Sequence, residues 1–89
     1  MNEEDLVKRA QQGDVGAFEL LAQLHSRSLY RMAYRMMNSA ELAEDITQES
    51  LLKAYQNIQG FRGDSKFRSW LMQIVVNGLR LQEKTTSGK

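Results

Sequence analysis

The sequence contains no cysteine and no proline, and it has a single histidine among its 89 residues. Without cysteine, neither a disulfide scaffold nor a thiolate zinc site is possible, and one histidine leaves little for metal binding or acid–base chemistry. The sequence also lacks paired carboxylates beside a nucleophile, a glycine-rich phosphate loop and metal-ligand spacing. It therefore predicts a protein that is not an enzyme and that carries no cofactor and no metal.

Long apolar runs are missing as well. No stretch approaches the roughly 18 consecutive apolar residues of a membrane-spanning helix, and residues 1–10 are acidic and polar where a signal peptide would be basic and then apolar. We therefore expect a cytoplasmic protein with no membrane insertion. A single domain of this length buries only roughly 60–65% of its unfolded surface, so it depends on efficient helix packing or on a partner.

Acidic and basic residues are unevenly divided along the chain, although the net charge is only +1. Residues 1–52 contain five bases and nine acids, a net charge of −4, whereas residues 53–89 contain seven bases and two acids, a net charge of +5. This polarity is typical of a domain that meets a protein on one side and nucleic acid on the other. A solvated surface with uneven charge is the alternative interpretation.

Apolar residues recur every three or four positions, which predicts four amphipathic helices and no strand. Gly13 is expected to end the first helix and Gly60 the third. Residues suited to N-capping precede the helices, namely Asn2, Asp14, Asn38 or Ser39, and Asp64 or Ser65. The predicted fold class is all-α, a compact bundle of three to four helices over residues 1–83, with a flexible polar tail at residues 84–89.

Three of the predicted helices have an apolar face that we expect to form the core. In the second helix this face comprises Phe18, Leu21, Ala22, His25, Leu29, Met32, Ala33 and Met36. In the third helix it comprises Leu42, Ile46, Leu51, Leu52, Tyr55 and Ile58. In the fourth helix it comprises Phe67, Trp70, Leu71, Ile74, Val75, Gly78 and Leu81. Because no second candidate ligand lies near His25, we interpret it as a core or boundary histidine rather than a metal ligand.

The third predicted helix has a polar side, here called the acidic face, that carries Glu41, Glu44, Asp45, Gln48 and Glu49. Like charges four residues apart repel each other by a few tenths of a kcal/mol, and no base follows until Lys53. Acids in the first turn complement the helix dipole, which accounts for Glu41 and Glu44 but not for Glu49. The acidic face is therefore either a patch that meets a basic partner or a solvated surface.

The fourth predicted helix carries Ser69, Gln73 and Asn77 at steps of four residues, here called the polar stripe. Arg80 and Lys84 continue the same flank. Amide side chains offer paired donors and acceptors to base edges, while arginine and lysine neutralise phosphates. This arrangement favours contact with nucleic acid.

Residues 61–68, which precede and begin the fourth helix, combine three bases with two phenylalanines. Basic residues interleaved with aromatic residues suit a nucleic-acid strand whose bases are unstacked. Phe67 and Trp70 also fit the apolar periodicity of the helix, which favours a core position for both, whereas Phe61 lies outside any period and its role stays open.

A row of arginines at steps of four residues, Arg27, Arg31 and Arg35, follows the second predicted helix beside two tyrosines, Tyr30 and Tyr34. A solvated helix face is the ordinary interpretation of such a row. Contact with a nucleic-acid backbone is the alternative.

Six short motifs follow one another along the chain: Gly13-Asp14 with Ala17-Phe18, Leu29-Tyr30-Arg31-Met32-Ala33-Tyr34-Arg35, Glu44-Asp45-Ile46-Thr47-Gln48-Glu49, Ala54-Tyr55, Phe61-Arg62-Gly63-Asp64-Ser65, and Trp70-Leu71 with Asn77. Their order resembles region 2 of the extracytoplasmic-function (ECF) sigma factors of bacterial RNA polymerase, over roughly residues 4–80. This resemblance implies a non-enzymatic helical domain of an alternative sigma factor.

The resemblance implies partners for both charged surfaces. The third helix would bind the coiled coil of the polymerase β′ clamp through Asp45, Gln48, Glu49, Leu52 and Lys53. The loop before the fourth helix would capture a flipped base of the non-template strand in the −10 promoter element. The implied DNA-binding residues are Phe61, Arg62, Gly63, Asp64, Ser65, Lys66, Phe67, Arg68, Ser69, Gln73, Asn77 and Arg80. An anti-sigma factor is a further expected partner, for which the adjacent Met36 and Met37 offer adaptable side chains.

Two departures from the family pattern bear on function. After Asn77 the chain continues with Gly78-Leu79-Arg80 rather than with an aspartate and a dense basic run, which affects the downstream DNA contacts. The family's second domain, which reads the −35 element, is absent from these 89 residues. A sigma-like regulator or split sigma subunit that keeps polymerase or anti-sigma binding without reading DNA independently is therefore the alternative function, and a helix-turn-helix repressor is a third.

Overall fold

The computed structural model describes the backbone of residues 2–87 and the side chains of residues 2–79. This part of the chain contains four α-helices, one 3-10 turn and no strand. The elements are α1 (Glu3–Gln11), α2 (Val15–Met37), α3 (Ala40–Asn57), the turn Ile58–Gly60, and α4 (Phe67–Ser87). The predicted all-α bundle is confirmed.

Three helices begin at side-chain caps. Asn2, Asp14 and Ser39 each accept a hydrogen bond from the backbone N–H three residues later, at 2.8, 3.1 and 3.2 Å, which satisfies a donor that the helix itself leaves unpaired. Asn38 instead ends α2 in the left-handed conformation, with φ of 52°, a conformation that asparagine tolerates better than most residues. The sequence leaves Asn38 and Ser39 open as caps, and the structure assigns the role to Ser39.

The predicted cap of α4 is wrong. The helix begins at Phe67, and the carbonyl of Lys66 accepts a hydrogen bond from the Trp70 N–H at 3.1 Å, so Lys66 occupies the capping position. The Ser65 hydroxyl donates to the Lys66 carbonyl at 3.5 Å instead of accepting from the helix. Asp64 and Ser65 belong to a bend that begins at Gly63.

The core lies where α3 packs against both α2 and α4, while α1 packs against α2. Its largest fully buried side chains are Leu21, Leu29, Ile46, Leu71 and Val75. The inner face of α3 consists mainly of small residues, namely Ala43, Thr47, Ser50 and Ala54. Small side chains allow the neighbouring helices to approach closely, and the buried Thr47 hydroxyl donates to the Ala43 carbonyl at 2.8 Å, so its burial leaves no unpaired donor.

Three residues predicted to face the core are exposed: Met36 is 56% exposed, Leu52 57% and Tyr55 40%. In α3 the small residues take the inner positions, which leaves Leu52 outside the core and Tyr55 at its edge, where the Tyr55 ring packs 5.2 Å from the Phe18 ring between centroids. In α2 the inward stripe continues at steps of four from Leu29 through Ala33 to Met37, which leaves Met36 outside it.

α4 continues to Ser87, four residues into the segment that the sequence assigns to a polar tail. That segment has no residue of very low helix propensity before Gly88, so the backbone hydrogen bonding can continue through it. The side chains of Arg80 and Leu81, which the sequence places on DNA and in the core, lie outside the described side chains.

Candidate functional site

The longest connection between helices in the described part of the chain is the loop of residues 61–66, between the 3-10 turn and α4. All of its side chains after Phe61 are exposed. Gly63 has φ of +85°, a region that strains residues with a β-carbon. The backbone conformation at this turn therefore explains why position 63 is a glycine. Because glycine has no side chain, Gly63 could contact DNA only through its backbone.

An open groove of about 760 Å³ lies between this loop and α1, a volume within the range of roughly 300–1,000 Å³ of ligand sites. Residues 61–68 line one side, and His25 of α2 also contributes. The α1 residues that line it are Glu3, Glu4, Val7, Lys8 and Gln11. Sequence reasoning missed this wall, because α1 has an ordinary amphipathic pattern that carries no signal of a site.

Four rings are packed at the base of the loop. Phe61 lies 5.4 Å from Phe67 and 5.4 Å from Trp70, measured between ring centroids, and Phe67 lies 5.9 Å from the His25 ring. Phe67 is 5% exposed, which confirms its predicted core position, and it also lines the groove. Its ring contacts Phe61 and so supports the start of the loop, while direct contact of Phe67 with DNA stays a prediction.

The three bases of this region, Arg62, Lys66 and Arg68, are exposed. Within residues 2–79, none of them forms an ion pair or a side-chain hydrogen bond. Their charges are therefore available to an anionic ligand over the loop and the first turn of α4.

The polar stripe is exposed along its length, with Ser69, Gln73 and Asn77 all on the surface of α4. Gln73 Nε2 donates to Asn77 Oδ1 at 3.3 Å, which leaves the Asn77 amide group free to donate. A second groove of about 320 Å³ lies beside the stripe and is lined by Lys53, Asn57, Trp70, Ile74 and Asn77. Lys53, which the resemblance assigns to polymerase binding, therefore lies at the boundary with the predicted DNA surface.

The acidic face is exposed on α3 from Glu41 to Glu49. No described base forms an ion pair with its carboxylates, so they face solvent uncompensated. Leu52 is exposed on the same helix, which makes it accessible to a partner although it is not part of the core.

His25 is buried and pairs with α1 through Nε2, which lies 2.5 Å from Glu3 Oε2. The prediction of a core or boundary histidine is confirmed, because this contact and the Phe67 ring surround it. The described residues include no group of three or more His, Asp or Glu side chains that could hold a metal ion. Arg27, Arg31 and Arg35 are exposed on α2.

None of the described helices combines the length and the apolar character that a membrane span requires.

Residues 21–81 match the family model described as Sigma-70 region 2. The chain belongs to the Sigma-70 region 2 family. The predicted family is thereby confirmed, and the relatives below include members named as ECF sigma factors. The matched residues begin within α2. Helix α1, which forms a wall of the larger groove in this region 2 domain, therefore lies outside the match.

Three curated relatives illustrate the similarity. The RNA polymerase sigma-H factor of Pseudomonas aeruginosa is 39% identical over 75 residues, which are 84% of this chain and 39% of the relative. The ECF RNA polymerase sigma factor SigW of Bacillus subtilis is 37% identical over 71 residues, 80% of this chain and 38% of the relative. The ECF RNA polymerase sigma-E factor of Haemophilus influenzae is 39% identical over 77 residues, 86% of this chain and 40% of the relative. This region 2 domain thus spans about two fifths of the length of these relatives.

Among solved structures, the fold is similar to the NMR structure of an engineered region 2 of sigmaE in complex with GTAAAA. The TM-score is 0.82 at 31% sequence identity, and the match covers 96% of this chain and 93% of the other. The sigma region 2 fold that the sequence predicts is therefore confirmed over almost the whole domain.

Proposed function

We propose that this chain is the domain of an ECF sigma factor that binds core RNA polymerase and recognises the −10 promoter element as a single strand. The observation that carries the proposal is the exposed basic loop beside an open groove, in a chain whose fold matches a sigmaE region 2 bound to GTAAAA. The family comprises transcription factors rather than enzymes, and we place the activity in the cytoplasm with the polymerase.

The groove favours a single strand over a duplex. A base in a duplex is held in its stack, whereas an unpaired base can turn into the space between the loop and α1. Arg62, Lys66 and Arg68 would then contact phosphates, and the polar stripe would offer hydrogen bonds to base edges. Stacking or pocket contacts of this kind contribute about 1–3 kcal/mol per base, so the isolated domain should bind weakly, with a dissociation constant of about 1 μM or above.

Base preference and overall affinity should respond to different residues. Replacing Asn77→Ala should relax the preference for sequence, at a cost of about 1–3 kcal/mol on the preferred strand, because the lost amide contacts base edges. Replacing Arg68→Ala should weaken all strands alike and reduce the salt slope by about 1, because the lost charge contacts a phosphate. Fluorescence anisotropy with labelled GTAAAA, a shuffled strand of the same composition and the matching duplex measures both effects.

The matched control for Arg68→Ala is Arg31→Ala, which removes the same charge from the exposed face of α2. If both variants lost the same affinity for the strands, binding would depend on general positive charge rather than on the loop. Tighter binding of the duplex, or equal binding of the two single strands by the unchanged domain, would contradict −10 recognition and favour a regulator that acts only through protein contacts.

The acidic face is the proposed contact with the β′ clamp coiled coil. This proposal is supported by the exposed row Asp45, Gln48 and Glu49. The two carboxylates of the row have no ion-pair partner among the described residues. Exposed Leu52 adds apolar area next to these charges. A basic partner would therefore gain charge complementarity without having to displace an internal ion pair.

An anti-sigma factor should compete with the polymerase fragment for this domain. Exposed apolar side chains, among them Met36 and Leu52, give an inhibitor surface to cover, and the thioether of Met36 can adapt to varied partners. In a size-exclusion experiment, adding a cognate anti-sigma domain should displace the β′ coiled-coil fragment. A stable ternary complex of all three would contradict this prediction.

A further inference from the structure

Gln11, at the C-terminal end of α1, is hydrogen-bonded to the backbone on both sides of the point where the loop begins. Its Nε2 donates to the Ile58 carbonyl and to the Phe61 carbonyl, each at 2.9 Å. These partners are 47 and 50 residues away in sequence. Both N–H groups of the Gln11 amide therefore donate to one short segment, which comprises the 3-10 turn and the first loop residue.

A second link joins the same two elements in the reverse direction. The side chain of Gln59 donates from Nε2 to the backbone carbonyl of Gln11. The Phe61 N–H also donates to the Ile58 carbonyl at 3.1 Å, so the turn is closed on itself and tied to α1. The direction in which the chain enters the loop is set by these bonds.

The other end of α1 is connected to the place where the loop ends. Glu3 contacts His25, and the His25 ring lies 5.9 Å from Phe67, the first residue of α4. α1 thus contacts the loop's start directly through Gln11 and reaches its end through His25. Between these two points α1 lines the groove opposite the loop.

We infer that Gln11 is a positioning residue for the loop, holding Phe61 and the basic residues after it in the arrangement that binds the strand. This inference rests on the proposed function. The loop has exposed side chains after Phe61 and a glycine at its turn, so contacts within the loop restrict its conformation little. If the loop had to become ordered on binding, the loss of conformational entropy would reduce affinity. A loop that occupies the competent arrangement for only a tenth of the time binds about tenfold more weakly.

The test replaces Gln11→Met, which keeps the length of the side chain and removes both donors. We expect affinity for labelled single-stranded GTAAAA to fall by about threefold to tenfold, since two hydrogen bonds of modest net strength no longer hold the loop. Amide hydrogen exchange at Phe61, whose N–H donates to the Ile58 carbonyl, should accelerate, while exchange in the buried parts of α2 and α3 should not change. A role confined to fold stability would not produce this local pattern.

The matched control is Gln12→Met, the same change at the neighbouring exposed residue, which should leave affinity and exchange unaltered. If Gln11→Met does not fold, Gln59→Met provides the second variant, because it removes only the bond to the Gln11 carbonyl and should weaken binding in the same direction. Unchanged affinity and unchanged loop exchange in the folded variant would overturn the inference. Failure of the unchanged domain to distinguish GTAAAA from the shuffled strand would instead overturn the proposed function.

Discussion

Replacing Glu49→Lys should weaken binding to the β′ coiled coil of core RNA polymerase by about 2–5 kcal/mol, the cost typical of disrupting a desolvated charge pair at an interface. Asp45→Lys should have an effect of the same size. Both residues are exposed on α3, so a lysine is accommodated without clashes. Titration calorimetry with a purified β′ coiled-coil fragment measures the loss.

The helix itself should tolerate these reversals. Asp45→Lys removes the repulsion of this carboxylate by Glu41 and Glu49, whereas in Glu49→Lys the lost repulsion with Asp45 is offset by new repulsion with Lys53. Each of these terms amounts to a few tenths of a kcal/mol, so circular dichroism should show no loss of helix. Glu19→Lys, a reversal at an exposed acid of α2, is the matched control and should leave polymerase binding nearly unchanged. If both α3 variants bound the fragment as tightly as the unchanged protein does, the assignment of the acidic face as the polymerase contact would be refuted.

Replacing Leu21→Ala should destabilise the domain by about 2–5 kcal/mol, because the lost side-chain atoms leave a cavity in a packed core. Leu21 is 0% exposed and is among the largest fully buried side chains. For a domain of this size each kcal/mol lowers the melting temperature by about 4–8 °C. Thermal unfolding followed by circular dichroism should therefore give a midpoint lower by roughly 10 °C or more.

Leu24→Ala is the matched control, since it makes the same chemical change in the same helix at a residue that is 59% exposed. Its melting temperature should stay close to that of the unchanged protein. If both variants lowered the melting temperature equally, the side of α2 that contains Leu21 would not be the one that faces the core. Because small domains have total stabilities of about 5–15 kcal/mol, Leu21→Ala should also reduce apparent strand affinity through partial unfolding.

Local sequence determined the helices and the chemistry of their outer faces. The caps Asn2 and Asp14 act within three residues of themselves, so their roles follow from neighbouring residues alone. The acidic face and the polar stripe could be predicted for the same reason, since residues four apart lie on one side of a helix wherever that helix is placed. The order of these motifs also indicated the family.

Tertiary packing decided which sides are buried and how the site is enclosed. The inner face of α3 is made of alanine, threonine and serine, which carry little hydrophobic signal, so periodicity placed Leu52 and Tyr55 inside although both are exposed. The groove forms only because α1 lies opposite the loop, and Gln11 reaches carbonyls 47 and 50 residues away. Contacts over such separations depend on how whole helices pack, and no spacing within a single helix encodes them.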